Sequence, residues 1–297
     1  MKVIGVKGWR ELQFPLGNIA SDVVEAALED LGALAVTLED AADDALLEPA
    51  PGEQPLWPSS RVRALFDARR DLDEVIAALR TQLNLSASAD FEITSVEDRQ
   101  WETAWRQDFK PMRFGRRLWV CPTGETAPAG AVVVHLDPGL AFGTGTHPTT
   151  ALCLDWLDRT PLDGATVIDY GCGSGILAIA AAKLGAARVI AVDHDPQALT
   201  ATRDNATANH VSATIETMAP AALNVPNADV VVANILARPL IELAEHFATL
   251  LGEDGRLALS GLLAPQCAQV TATYARWFAV NDAILRDDWA LLEGRRR

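Results

Sequence analysis

Apolar and polar positions along the chain follow two rhythms. Up to about residue 100 the period-two and helical spacings take turns. An extended stretch at Arg10–Pro15 precedes Ile19–Leu31, where Val23, Val24, Ala27 and Leu31 recur at helical spacing. Ala33–Leu38 has strand character, and a loop holding Pro49, Pro51, Pro55 and Pro58 follows it. Val62–Asp67 then alternates with period two, Leu72–Leu83 is helical and Phe91–Val96 is again strand-like. The order β-α-β-β-α-β predicts a ferredoxin-like α+β domain over residues 1–100, a small sheet with two helices on one face. It contains no titratable cluster or glycine-rich turn suited to catalysis, so recognition or docking is its expected role.

From residue 131 onward, short apolar runs alternate with helical segments. Ala131–Leu136, Val167–Asp169, Arg188–Val192, Ala228–Ala233 and Arg256–Gly261 predict strands, with closing strands near Phe278–Val280 and Trp289–Leu292. Helices are expected from Thr150 to Leu157, from Ile176 to Leu184 with Gly185 as its C-terminal stop, from Pro196, and from about Pro265 to Tyr274. This alternation predicts an α/β domain over residues 131–297: a mainly parallel sheet covered on both faces, with its ligand at the carboxyl ends of the strands. Residues 101–130 remain as a linker region. Trp101 and Trp105, one helical turn apart, predict a helix packed onto a domain, and Lys110, Arg113, Arg116 and Arg117 predict a solvated face.

Composition narrows the function classes. The chain has 297 residues, enough for two domains, with 49% hydrophobic and 22% charged residues, an ordinary globular balance. Charges at Lys2, Lys7 and Arg10 interrupt what would be a signal peptide, and no stretch is long and apolar enough to span a membrane, so a cytoplasmic protein is expected. A formal charge of -15 argues against gripping nucleic acid through a broad basic face; it fits a basic or cationic partner better, and equally an acidity that only keeps the protein soluble. The four cysteines are scattered without metal-ligand spacing, which predicts reduced, structural thiols and no metal site. Arg295–Arg297 are expected to form a solvated tail, and a monomer is expected.

The densest chemistry lies in Val167-Ile168-Asp169-Tyr170-Gly171-Cys172-Gly173-Ser174-Gly175. A strand that runs into glycines and then a helix N-terminus forms a cradle. Glycine tolerates positive φ and close approach, while the first helical turn presents free N–H groups. Asp193 stands 22 positions after Gly171 at a strand end, near the spacing at which a carboxylate meets a ribose hydroxyl, so a nucleoside ligand is expected. A dinucleotide fingerprint would need glycine where Ile176 stands; a nicotinamide-dependent oxidoreductase is therefore the weaker alternative, and a merely structural turn remains another. Gly171, Gly173, Asp169 and Asp193 are the candidate ligand contacts, with Asp195 the cap of the next helix. Asn234 ends a strand, where it could either orient a substrate or cap the following helix. Within the loop Asp137–Thr150, glycines and hydroxyls suggest a segment able to fold over a ligand, Phe142 could stack on it, and His147 is expected to fix the loop by hydrogen bonding rather than act as a base.

The Gly-x-Gly-x-Gly turn resembles motif I of the class I methyltransferases, which are Rossmann-like, and the string Asp137–Thr150 resembles the signature of the family that methylates large-subunit ribosomal protein L-eleven. Asn234-Ile235-Leu236-Ala237 departs from the general amino-methyltransferase motif, in which Asp, Asn or Ser precedes two prolines and an aromatic residue, and is similar to this family's form. The resemblance implies transfer of methyl groups from S-adenosylmethionine to lysine side chains and the N-terminal α-amine of ribosomal protein L-eleven, docked by the N-terminal domain. It places cofactor contacts at Thr150, Gly171, Asp193 and Asn234, with Asn234 also at the target amine. A different protein or a small amine as substrate, and a ribosome-binding factor without activity, are the alternatives.

Overall fold

The computed structural model describes residues 8–42, 56–86, 89–97, 110–137 and 145–297. Trp101, Trp105 and Phe142 lie outside these residues. The chain divides into two compact units, Met1–Ala104 and Trp105–Arg297.

The first unit comprises β1 (Gly8–Pro15), α1 (Ser21–Asp30), β2 (Ala35–Asp40), β3 (Ser60–Asp67), α2 (Leu72–Gln82) and β4 (Glu92–Glu97). Its antiparallel sheet runs β2-β3-β1-β4, the arrangement that two crossed β-α-β units produce. Period two in β3 turns Ser60, Val62, Ala64 and Phe66 inward, against Val24 and Leu28 of α1 and Leu72, Val75 and Leu79 of α2. Asp71 caps α2 by accepting from Asp73 N at 2.9 Å.

The second unit opens with β5 (Met112–Phe114), β6 (Leu118–Cys121) and β7 (Val132–His135), which form a separate three-stranded sheet. The arginines flanking its first turn are not all simply solvated. Asp158, 7% exposed, accepts from Arg116 N at 2.6 Å and pairs with the Arg117 guanidinium at 3.4 Å. There follow α3 (Pro148–Arg159), β8 (Thr166–Tyr170), α4 (Ile176–Lys183), β9 (Arg188–Val192), α5 (Pro196–Ala208), β10 (Ile215–Met218), β11 (Ala228–Asn234), α6 (Ala237–Glu242), α7 (Ala244–Leu250) and β12 (Leu251–Leu263). The chain closes with α8 (Cys267–Tyr274), β13 (Phe278–Val280), β14 (Ile284–Arg286) and β15 (Trp289–Arg296).

The large sheet has the order β10-β9-β8-β11-β12-β15-β13, with β14 on β15. Strands β8 to β12 pair in parallel, and β15 joins antiparallel to β12. Two apolar clusters cover it. One is built around α3 and α4, where Ile176 to Ala181 are all buried; the other is built around α6, α7 and α8. Strand order reverses between β8 and β11, which opens a crevice at their carboxyl ends. Among the described residues, no helix is long and apolar enough to cross a membrane.

Candidate active site

Three strand ends that are neighbours in the sheet, those of β9, β8 and β11, deliver the site. At the end of β8, Gly171, Gly173 and Gly175 all take positive φ, at 80°, 53° and 80°. Only glycine adopts this sequence of turns without strain, and two of the positions have no room either. A Cβ on Gly171 would fall on the Ile235 side chain, and one on Gly175 would come within 2.8 Å of Thr202. The turn is tied to β9 by Gly171 N and Cys172 N, which donate to Val192 O at 2.7 and 3.0 Å.

Two residues that sequence reasoning missed hold the turn from α5. Thr202, fully buried, donates its hydroxyl to Gly173 O at 3.1 Å, and Asn205 Nδ2 donates to Ser174 O at 2.8 Å. Both point inward on the face that also carries Ala198 and Ala206. Polar residues inside an otherwise small, apolar helix face were the available signal.

Asp169 is wholly buried beneath the turn. Its Oδ2 accepts from Ala178 N in the first turn of α4 at 2.9 Å, while Oδ1 has no partner among the described residues. Burial pushes its pKa up to about 7; the Ala178 bond opposes the shift and the nearby Asp193 charge adds to it. Asp193, 8% exposed at the end of β9, accepts from Gly173 N and Asp195 N, both at 3.0 Å. It therefore fixes the turn from the side while remaining at the crevice rim. Asp195 caps α5 by accepting from Gln197 N at 2.8 Å.

Asn234, at the end of β11, does not cap the following helix: the N-cap of α6 is Leu236, with no side-chain bond. Its Nδ2 instead donates to Thr150 Oγ1 at 3.3 Å, across 84 positions of sequence. Thr150 is buried in the first turn of α3. With Nδ2 so engaged, Asn234 Oδ1 has no partner among the described residues and can accept from a substrate. Ile235 then locks this strand end to its neighbours. Ile235 N donates to Ser260 O at 3.1 Å, and Gly261, at φ 86°, lets β12 approach its peptide so closely that a Cβ would lie 2.7 Å from Ile235 C. Ile235 is thus wedged between Gly171 and Gly261, and couples the glycine turn to Asn234.

His147 is the N-cap of α3. Its Nδ1 lies 2.7 Å from Thr149 Oγ1 and accepts from Thr149 N at 3.4 Å, and its ring meets Trp289 edge-on with centroids 4.7 Å apart. Burial lowers its pKa, which favours the neutral form that can accept. The cysteines are free thiols; Cys121, Cys153 and Cys172 are buried.

The arrangement fits a zwitterionic nucleoside cofactor. The first turn of α4 has N–H groups of the kind a carboxylate meets, Asp169 Oδ1 is buried without a partner among the described residues, and Asp193 lies at a strand end beside the turn. Sheet order, glycine turn and strand-end asparagine together define a class I methyltransferase, dependent on S-adenosylmethionine. The profile of the family described as Ribosomal protein L11 methyltransferase (PrmA) matches residues 8–297, and the chain belongs to that family. A ribosomal protein L11 methyltransferase of Methylococcus capsulatus is 50% identical over 291 residues, covering 97% of this chain and 99% of its own. That of Nitrosococcus oceani is 48% identical over 290 residues with the same coverage. The crystal structure of a ribosomal protein L11 methylase from Lactobacillus delbrueckii subsp. bulgaricus is similar at a TM-score of 0.59 and 34% identity, over 64% of this chain and 100% of that one.

Proposed function

We propose that the enzyme methylates amino groups, lysine side chains and the N-terminal α-amine, of ribosomal protein L11, and that Asn234 orients the accepting nitrogen. The observation that supports this reading is the Asn234–Thr150 bond, which engages the amide nitrogen at the end of β11, next to the glycine turn that ends β8, and leaves Oδ1 as the acceptor for an incoming amine. Bound S-adenosylmethionine supplies an electrophilic methyl group on a sulfonium. Gly171, Gly173 and the first turn of α4 would hold its amino-acid portion, Asp169 would balance its positive charge from below, Asp193 would take the ribose hydroxyls, and Thr150 with Asn234 would line the wall nearest the methyl. The target amine must arrive neutral with its lone pair directed in line. Accepting one N–H at Asn234 Oδ1 sets that direction, so catalysis rests on positioning rather than on a strong base. His147 is placed as a cap and has no part in proton transfer.

Domain roles follow the same reading: residues 1–100 dock the substrate protein and the second unit carries out transfer. Mass spectrometry of unmethylated ribosomal protein L11, incubated with the enzyme and S-adenosylmethionine, tests the substrate. Mass gains in methyl steps, mapped by peptide sequencing to lysines and the N-terminus, are expected. Gains confined to another ribosomal protein, or to small amines, would overturn it.

A further inference from the structure

A second cleft lies between α3 and the β12-β15-β13 side of the large sheet. Its volume is about 380 Å³, and Arg159, Arg256 and Arg295 line it together with Asn281 and Glu293. Register fixes its place: Arg256 pairs with Val230 near the amino end of β11, whereas Asn234 pairs with Ser260 at the carboxyl end. It is therefore displaced from the methyl-transfer site by the four positions along β12 from Arg256 to Ser260, and α3 spans the two, with Thr150 in its first turn and Arg159 as its last residue.

The charge arrangement is unusual for a chain with formal charge -15. Arg256 and Arg295 are directly opposite one another on β12 and β15, a like-charge cross-strand pair that costs stability unless something neutralises it. Two positions along on the same face, Glu293 is already engaged: Oε2 accepts from Trp156 Nε1 at 2.9 Å and Arg159 Nη2 at 2.7 Å, and Oε1 accepts from Asn281 Nδ2 at 2.8 Å. Arg295 reaches Asp254 at 3.2 Å, but that carboxylate is 76% exposed, and such a pair contributes little. Three arginines from α3, β12 and β15 thus line one cleft; Glu293 neutralises Arg159, Arg295 has only the exposed Asp254, and Arg256 has no ion pair among the described residues.

We propose that this cleft binds a small dianionic phosphate group, either free phosphate or a phosphate monoester. Arginines lining one cleft from three elements suit a tetrahedral group that accepts from several directions, whereas a carboxylate fills a single planar fork. The open cleft, about 380 Å³, leaves room for a phosphate with or without a small ester group, and the overall negative charge disfavours a nucleic-acid strand.

The test follows the Trp156 indole N–H resonance, which reports on Glu293, in the full-length ¹⁵N-labelled protein. Inorganic phosphate and glycerol phosphate are titrated at constant ionic strength maintained with chloride. A saturable shift is expected, with tighter binding of the ester identifying a monoester ligand and equal or weaker binding identifying free phosphate. In R256A/R295A, phosphate affinity should fall about tenfold or more, as loss of charge-assisted bonds implies. S-adenosylmethionine affinity should stay unchanged, and the thermal midpoint without phosphate should not fall, because a repulsive pair has been removed. Arg256→Gln, which leaves the Arg295–Asp254 pair intact, serves if the double variant fails to fold. No saturable shift, an equal shift with chloride alone, unaltered affinity in the variants, or Arg256-dependent binding of single-stranded RNA tighter than phosphate would each overturn the proposal.

Discussion

Asn234 and Asp169 each have one oxygen without a partner among the described residues, and the consequences differ because one side chain is neutral and the other ionises. For Asn234 the open oxygen is an orienting acceptor. Asn234→Ala removes it and frees Thr150 Oγ1 without disturbing the backbone bonds that join β11 to β12. The variant is expected to keep its circular-dichroism spectrum and to lose about 100-fold in kcat, the scale on which small misplacements act; an unchanged kcat in the folded variant would remove the orienting role. For Asp169 the open oxygen is a liability. Its folded pKa, raised to about 7 by burial, lies above the ordinary value of 3.8. Between these values the folded state holds a proton that the unfolded state has released, so this group's contribution to stability falls as pH rises from about 4 to about 7. Asp169→Asn is expected to be nearly neutral near pH 4 and to stabilise the cofactor-free protein by up to a few kcal/mol at pH 8, at about 1.4 kcal/mol per pKa unit. Thermal unfolding of both proteins across that range measures the difference. An equal effect at both ends would show that the carboxyl does not titrate there. S-adenosylmethionine affinity of the unaltered protein should in turn weaken as pH falls from 8 to 6 and Asp169 loses its charge.

Helix α3 shows how an element's end can govern a site. His147 caps it, and three positions later Thr150 meets Asn234. His147→Ala should destabilise by about 1 kcal/mol, the usual cost of a lost cap. The pH dependence has a definite sign: the folded pKa is lowered, so the neutral cap contributes fully above the ordinary value of 6.5 and is lost as pH falls through the folded value. The penalty of His147→Ala should therefore be larger at pH 8 than at pH 5.5 in urea melts, and a pH-independent penalty would rule out a titrating cap. Elements whose signals are local were legible in the sequence, such as β3 with its strict alternation, the turn Gly171–Gly175 with its strand and helix, and the cap at Asp195. Strand β10 was not, because Ile215–Met218 contains Glu216 and Thr217 and is defined chiefly by its pairing with β9. Nor was the full length of β12, whose Gly252 and Gly255 obscure its beginning, or β14, three exposed residues that lie against β15. The contacts among Thr202, Gly173, Ile235 and Gly261 are tertiary and left no spacing to read. The Asn234–Thr150 bond spans 84 positions, so resemblance to a family could suggest both residues but not their meeting.

At the scale of the whole molecule, the apolar clusters decide what can be separated. Every member of the cluster holding Leu12, Val62 and Leu79 belongs to the first unit, and every member of the other two belongs to the second, so each unit has the core of an independent domain. All cofactor contacts proposed above fall in the second. A chain lacking residues 1–104 is accordingly expected to bind S-adenosylmethionine with unchanged affinity by calorimetry, while kcat/KM for the ribosomal protein drops steeply. Full-rate methylation by the shortened chain would remove the docking role; loss of cofactor binding would show that the second unit depends on the first. Charge adds an independent check on recognition. A chain carrying -15 attracts a cationic partner over a distance comparable to the Debye length, about 10 Å at 0.1 M salt. Attraction of this kind acts on encounter rather than on the bound complex. For the full-length enzyme, kcat/KM should therefore decline as sodium chloride is raised while kcat stays level, because Asn234, Thr150 and the glycine turn act after docking and at contact distance. A salt-independent kcat/KM would mean that the acidity serves solubility alone and that shape, not charge, brings the substrate to the site.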